Sequence, residues 1–205
     1  MSEDLGRRGR AGRPPGSGWS VAAVSFRDEE ADLWLVGKAR GGDLEAFEVL
    51  LRRHQGRIYR IALRMLGNHQ DAEDVVQEVF IQLWTALAGF AGTSAFTTWL
   101  YRIVVNRCLN YRRSRNPGVF SLDTERPTPV AAGAEDVAMA RERVRAVYAA
   151  IDDLVPQQRS VLVLCQLEGL SYREAAVVLG ISEAAVRSRL SRARRVVLDR
   201  LEDWT

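Results

Sequence analysis

Between Ala184 and Leu198 the chain carries Arg187, Arg189, Arg192, Arg194 and Arg195 and no acid. Arginine pairs bidentately with guanine or clamps phosphate, so this run is chemistry directed at a polyanion. At helical spacing it divides into two faces. Val186, Leu190, Ala193 and Val197 fall on one side, Arg187, Ser188, Ser191, Arg192 and Arg195 on the other. A second acid-free stretch holds Arg102, Arg107, Arg112, Arg113 and Arg115. Within it Arg102, Asn106, Asn110 and Arg113 recur at intervals of four, four and three, one stripe of a helix offering groups to phosphates and bases. Phe90, Phe96, Trp99 and Tyr101 lie nearby. Rings beside bases suit single-stranded DNA, whereas burial in a core is the ordinary fate of a large aromatic such as Trp99.

Other chemistries find little support. Two cysteines, Cys108 and Cys165, and two histidines, His54 and His69, are too few and too scattered for a zinc site, a disulfide framework or acid–base catalysis. No carboxylates cluster with histidine, and no glycine-rich loop is placed to cradle phosphate. Neither a metal, a cofactor nor a small-molecule substrate is expected, and the chain does not read as an enzyme.

The first arginine run needs an element to aim it, and residues 171–195 supply one. Ser171-x-x-Glu174 is a capping box, Gly180 allows a tight turn, and Ser182 caps the helix that follows. Ala175 and Ala176 permit a close crossing, while Ile181, Val186 and Leu190 lock the second helix onto the first. This is the pattern of a helix-turn-helix, whose second helix enters the major groove. The bland alternative is a solvated basic helix in a bundle.

The rest of the chain is read as all-α. Leu44, Phe47, Leu50, Leu51, His54, Ile58, Ile61, Met65 and Leu66 step by three and four, as do Val75, Val76, Val79, Phe80, Leu83, Trp84 and Leu87. A third helix is expected from about Phe96 to Arg113. After it come helices over about Asp136–Leu154, from Pro156, from Ser171 to Gly180, and from Ser182 to about Leu201. Residues 1–27 read as a disordered basic tail and 116–136, rich in Pro and Gly, as a flexible linker. The expectation is two small helical domains, 28–115 and 137–205, the second containing the helix-turn-helix. With 205 residues, 47% hydrophobic and a net charge of +3, the chain can build such cores. No run reaches the length of a membrane span and no apolar segment follows the basic N-terminus, so the expected location is the cytoplasm.

Three segments carry a family resemblance: DAEDVVQEVFIQLW (71–84), SAFTTWLYRIVVNRCLNYRR (94–113) and GLSYREAAVVLGISEAAVRSRLSRAR (169–194). In this order they resemble bacterial RNA polymerase sigma factors of the extracytoplasmic-function (ECF) group, over about 30–115 and 137–203. The resemblance implies a specificity subunit that binds core RNA polymerase and directs it to promoter DNA. The N-terminal unit is similar to the family's region 2. Asp74, Gln77 and Glu78 would dock on the polymerase clamp helices. The loop Phe90–Ala95, with Phe90 and Ser94, and Asn106 would capture flipped bases of the −10 element. Arg102, Asn110, Arg112 and Arg113 would hold the strand nearby. The C-terminal unit is similar to region 4 and would read the −35 element through Arg187, Ser188, Ser191, Arg192 and Arg195 while touching the polymerase flap. The linker acids Asp123 and Glu125 would mimic nascent RNA. An anti-sigma factor is the implied regulator.

The sequence departs from the family pattern at Leu154-Val155-Pro156, at Cys165, where an arginine is common, and at the small Ser191. A free helix-turn-helix regulator is the competing reading, and it leaves 71–113 without a purpose. A nucleic-acid enzyme is a third, without a catalytic set.

Overall fold

The structure, a computed structural model, describes residues 26–115 and 135–202. Most of the expected tail and linker, with Asp123 and Glu125, lies outside the described residues. Among the described residues there are helices and turns only, with no strand. The N-terminal half contains α1 (Phe26–Arg40), α2 (Leu44–Leu66), α3 (His69–Ala86) and α4 (Phe96–Arg115). The C-terminal half contains α5 (Glu135–Asp152), α6 (Pro156–Leu162), α7 (Tyr172–Leu179) and α8 (Glu183–Glu202).

Local chemistry sets the helix ends. The Asp43 carboxylate accepts the Ala46 N–H at 3.0 Å and starts α2. Gly67, in the left-handed region at φ 77°, stops it and returns its N–H to Leu63 O. The next residue, Asn68, accepts the Asp71 N–H at 3.1 Å and starts α3. One tight link thus turns α2 back into α3. Leu50, Ile58, Ile61 and Met65 of α2 are buried against Val75, Val79 and Leu83 of α3 and Phe96, Leu100 and Val104 of α4. These are the faces that the sequence period predicts.

Helix α1 is absent from the sequence reading. Its apolar residues make no clear stripe, and tertiary contacts hold it instead. Leu35, Val36 and Ala39 are buried on the bundle. Asp32, 1% exposed, sits between Arg53 and His54 of α2, each at 2.8 Å. Helix α6 begins at Pro156, as expected for a residue suited to a first turn. It runs on without a break into a π-helical turn, Val163–Leu167.

The two halves pack on each other. Helix α7 rests on α4, and α2 meets α5, α6 and the π turn. The buried apolar residues form one continuous cluster through both halves.

Candidate nucleic-acid interface

The geometry of α7 and α8 follows from their caps. Ser171 Oγ accepts the Glu174 N–H at 3.2 Å, and the Glu174 carboxylate accepts the Ser171 N–H at 2.8 Å. Gly180, at φ 64°, closes α7, and Ser182 Oγ accepts the Ala185 N–H to open α8. Ala175, Ala176 and Val178 of α7 and Val186, Leu190 and Ala193 of α8 are all buried, with Val197 half-buried below them. The opposite face of α8 is therefore fixed by packing. Arg187, Ser188, Ser191, Arg192 and Arg195 all lie on it and are exposed. Arg192 donates to Ser188 Oγ at 3.1 Å, which holds its guanidinium along the helix.

On α4 the stripe Arg102, Asn106, Asn110 and Arg113 is exposed along its whole length. Beside it α3 and α4 enclose a cleft of about 410 Å³, lined by Gln82, Trp99, Arg102, Ile103, Asn106, Arg107 and Asn110. Trp99 is packed on one side and open to the cleft on the other. Its ring packs on Phe90 at 5.1 Å and Phe96 at 5.9 Å, and its half-buried edge lines the cleft. Gln82 of α3 joins the site as well. The signal is the pair one turn earlier: Glu78 binds Arg107 across the helix junction, so Gln82, four residues on, faces α4 as well.

Two candidate residues lie elsewhere. Phe90 is buried, its ring held against Phe96 and Trp99 and its carbonyl accepting from Arg40. Arg112 is half-buried on another face of α4 and donates to Met65 O at 3.1 Å. Burial lowers its affinity for its proton, and Asp152 opposes that shift. In this arrangement Arg112 faces the C-terminal half. Ser94 is half-buried in the loop before α4.

Asp74, Gln77 and Glu78 share one face of α3. Gln77 is exposed, Asp74 accepts a long hydrogen bond from Gln70, and Glu78 is committed to Arg107. Asp71, on the same helix, accepts the Tyr111 hydroxyl at 2.9 Å and binds Arg115, fixing α3 to α4 at its other end. Among the described residues no group of three His, Cys, Asp or Glu side chains is placed to hold a metal ion.

The comparisons with known proteins fall on these same elements. The model for sigma-70 region 2 matches residues 50–117, and that for sigma-70 region 4 matches 144–197. The chain belongs to the sigma-70 family. It is 35% identical over 187 residues to the RNA polymerase sigma-H factor of Pseudomonas aeruginosa, covering 82% of this chain and 93% of the relative. It is 33% identical over 190 residues to the ECF RNA polymerase sigma-E factor of Haemophilus influenzae, covering 85% and 97%. Among solved structures it is similar to CnrH in complex with the cytosolic domain of CnrY, with a TM-score of 0.66, 31% identity, and coverage of 85% and 99%. It is also similar to RpoE in complex with the anti-sigma factor NepR from Bartonella quintana, with a TM-score of 0.63, 26% identity, and coverage of 76% and 96%. The chain is an alternative sigma factor of the ECF group. Region 2 of this sigma factor holds the α4 stripe and the α3–α4 cleft, and region 4 holds the helix-turn-helix.

Proposed function

We propose that this sigma factor reads its promoter through two separate surfaces, one in each half. The observation that carries the reading is the face of α8: five arginine and serine side chains, all exposed, on a helix whose other side is fixed by packing. Arg187, Ser188, Ser191, Arg192 and Arg195 read the −35 element in the major groove. Arg102, Asn106, Asn110 and Arg113 hold the non-template strand at the −10 element, and the cleft beside Trp99 takes an unstacked base, with Ser94 in the adjoining loop. An aromatic wall with carboxamide and guanidinium neighbours is suited to that task. Phe90 supports the site from behind, as the partner of Trp99.

Core polymerase docks on the α3 face of Asp74, Gln77 and Glu78, with further contact from region 4 to the flap. Residues 28–115 and 137–205 are the working units. The protein acts in the cytoplasm and is not itself an enzyme. An anti-sigma factor is its regulator, a reading supported by the related structures solved with CnrY and NepR.

The test is run-off transcription with purified core polymerase on a pool of genomic promoter fragments, with and without the protein. Discrete start sites that need the protein are expected, and their upstream sequences define both elements. Duplex binding by the folded protein without any new transcript would mark a free regulator instead.

A further inference from the structure

Helix α1 reaches the wall of the base cleft from behind. Ala39 is buried, and the chain turns away directly after Arg40, where the Gly41 N–H donates to Lys38 O at 2.9 Å and the Gly42 N–H to Ala39 O at 3.0 Å. Arg40 is itself exposed, yet its Nη1 donates to the carbonyl of Phe90 at 3.2 Å, across 50 residues of chain. Phe90 ends the short helical turn Leu87–Gly89 that follows α3, and its own N–H donates to Leu87 O at 3.1 Å. Beyond it Ala91, Gly92 and Thr93 are exposed, and α4 then begins at Phe96. The Phe90 ring lies edge-on to Phe96 at 5.8 Å and leans on Trp99 at 5.1 Å. The far stem of this loop is tied to α1 as well. His54 Nε2 donates to the buried Asp32 carboxylate at 2.8 Å, and the His54 ring meets Phe96 edge-on at 5.5 Å.

We propose that Arg40 is a positioning residue for −10 recognition. It fixes the Phe90 carbonyl, and through the Phe90 ring it sets the Trp99 wall of the cleft and the path of the loop Phe90–Ala95. The proposal rests on the reading above, in which that cleft takes an unstacked base. Arg40 is not among the residues that line the cleft, so it acts on the base through Phe90 and Trp99 and not by touching DNA.

The chemistry favours steering over stabilising. A guanidinium on a carbonyl makes a charge-assisted hydrogen bond, stronger than one between neutral groups. Because Arg40 is exposed, water can replace it at the carbonyl with little cost to folding. Water cannot, however, hold that carbonyl at a fixed distance from α1. A recognition site tolerates only about 0.5 Å of play in its supporting groups, and Phe90 is the ring on which Trp99 leans. Movement of the Phe90 backbone therefore reaches the stacking surface directly. A positive charge in the last turn of α1 also complements the helix dipole, but Lys38 supplies one in the same turn, so that contribution is not peculiar to Arg40.

The experiment uses the full chain. Arg40→Met keeps an unbranched stem and removes the donors, whereas Arg40→Lys keeps the charge and a donor. In the free protein, amide hydrogen exchange at residues 90–95 should be roughly tenfold faster in Arg40→Met, with α2 and α3 unchanged. Each protein is then bound to core polymerase and given single-stranded −10 non-template oligonucleotides from a mapped start site, one base replaced at a time. Arg40→Met should lose roughly tenfold in discrimination at one −10 position, the position that Trp99→Leu also affects. Affinity for core polymerase, binding of the −35 duplex and the thermal melt should stay as in wild type. Arg40→Lys should recover most of the discrimination. Arg40→Met combined with Trp99→Leu should lose no more than Trp99→Leu alone, because both act on one wall. An Arg40→Met protein that discriminates like wild type, or whose loop exchanges no faster, overturns the proposal. A loss spread equally over all −10 positions, or one that follows a lowered melting temperature, assigns Arg40 to folding and overturns it too. Failure of the cleft reading would show differently, as Trp99→Leu that discriminates as well as wild type.

Discussion

Asn106 is exposed beside the cleft, so its contribution to folding and to promoter recognition separate cleanly. Removing its carboxamide should leave stability within about 0.5 kcal/mol, as for other surface positions. A base contact of this kind is worth about 1–3 kcal/mol, or roughly 5- to 150-fold. Asn106→Ala should accordingly weaken −10 selectivity and strand opening, read by permanganate reactivity of −10 thymines, with an unchanged thermal melt. A lowered melting temperature would make Asn106 structural. Arg192→Ala should impair −35 use while polymerase binding survives, and equal promoter use by the mutant would sink the −35 assignment. The cysteines should behave in the opposite way, as core atoms. Burial pushes the Cys108 thiol up to about 12 and the Cys165 thiol up to about 11, from an ordinary 9.0. Both raised values mean that the folded state disfavours thiolate. Their contribution to stability is complete below pH 9 and is lost as pH rises through 11 to 12. A thiol reagent at pH 8 should find no fast-reacting group until denaturant is added.

Among the elements, those built by local rules were legible in the sequence. The period of α2, the capping box of α7 and the glycine stop at 180 all appear where the residues place them. Helix α1 was not legible, because its position depends on Asp32 meeting Arg53 and His54 some twenty residues later. The burial of Phe90 and the cleft role of Gln82 were hidden for the same reason: each is decided by a neighbouring helix. Asp32 gives the sharpest test of α1. Asp32→Ala strips His54 of its buried partner and should destabilise the N-terminal half by about 1–3 kcal/mol in urea unfolding. Two of the left-handed glycines, Gly67 and Gly180, give a paired test. Gly180→Ala meets open space and should show only the backbone strain, about 1–2 kcal/mol. Gly67→Ala carries the same strain and places a methyl 2.8 Å from Asp152 Oδ1. It should therefore also loosen the contact between the halves. Equal effects of the two on the interhalf distance would remove Gly67 from that contact.

For the whole molecule, sequence patterning separated two halves but gave no sign that they meet. Arg57, Arg64 and Glu168 are ordinary charges until the fold brings them together across more than a hundred residues. The same distinction, between charges spent inside the molecule and charges left for DNA, can be measured by salt dependence. Each phosphate neutralised by the protein releases counterions, so deleting one arginine that truly binds phosphate should lower the slope of log affinity against log salt by about 1. Arg113 and Arg195 are exposed on the two proposed reading surfaces, so Arg113→Ala and Arg195→Ala should each reduce the slope for the polymerase-bound protein on its promoter. Glu168→Gln should leave that slope unchanged. Its carboxylate is buried between Arg57 and Arg64. A variant of Arg195 that loses affinity with no change in slope contacts a base and not the backbone. A slope that shifts with Glu168→Gln would place Arg57 or Arg64 on the DNA, and those two arginines would then belong to the promoter surface as well as to the contact between the halves.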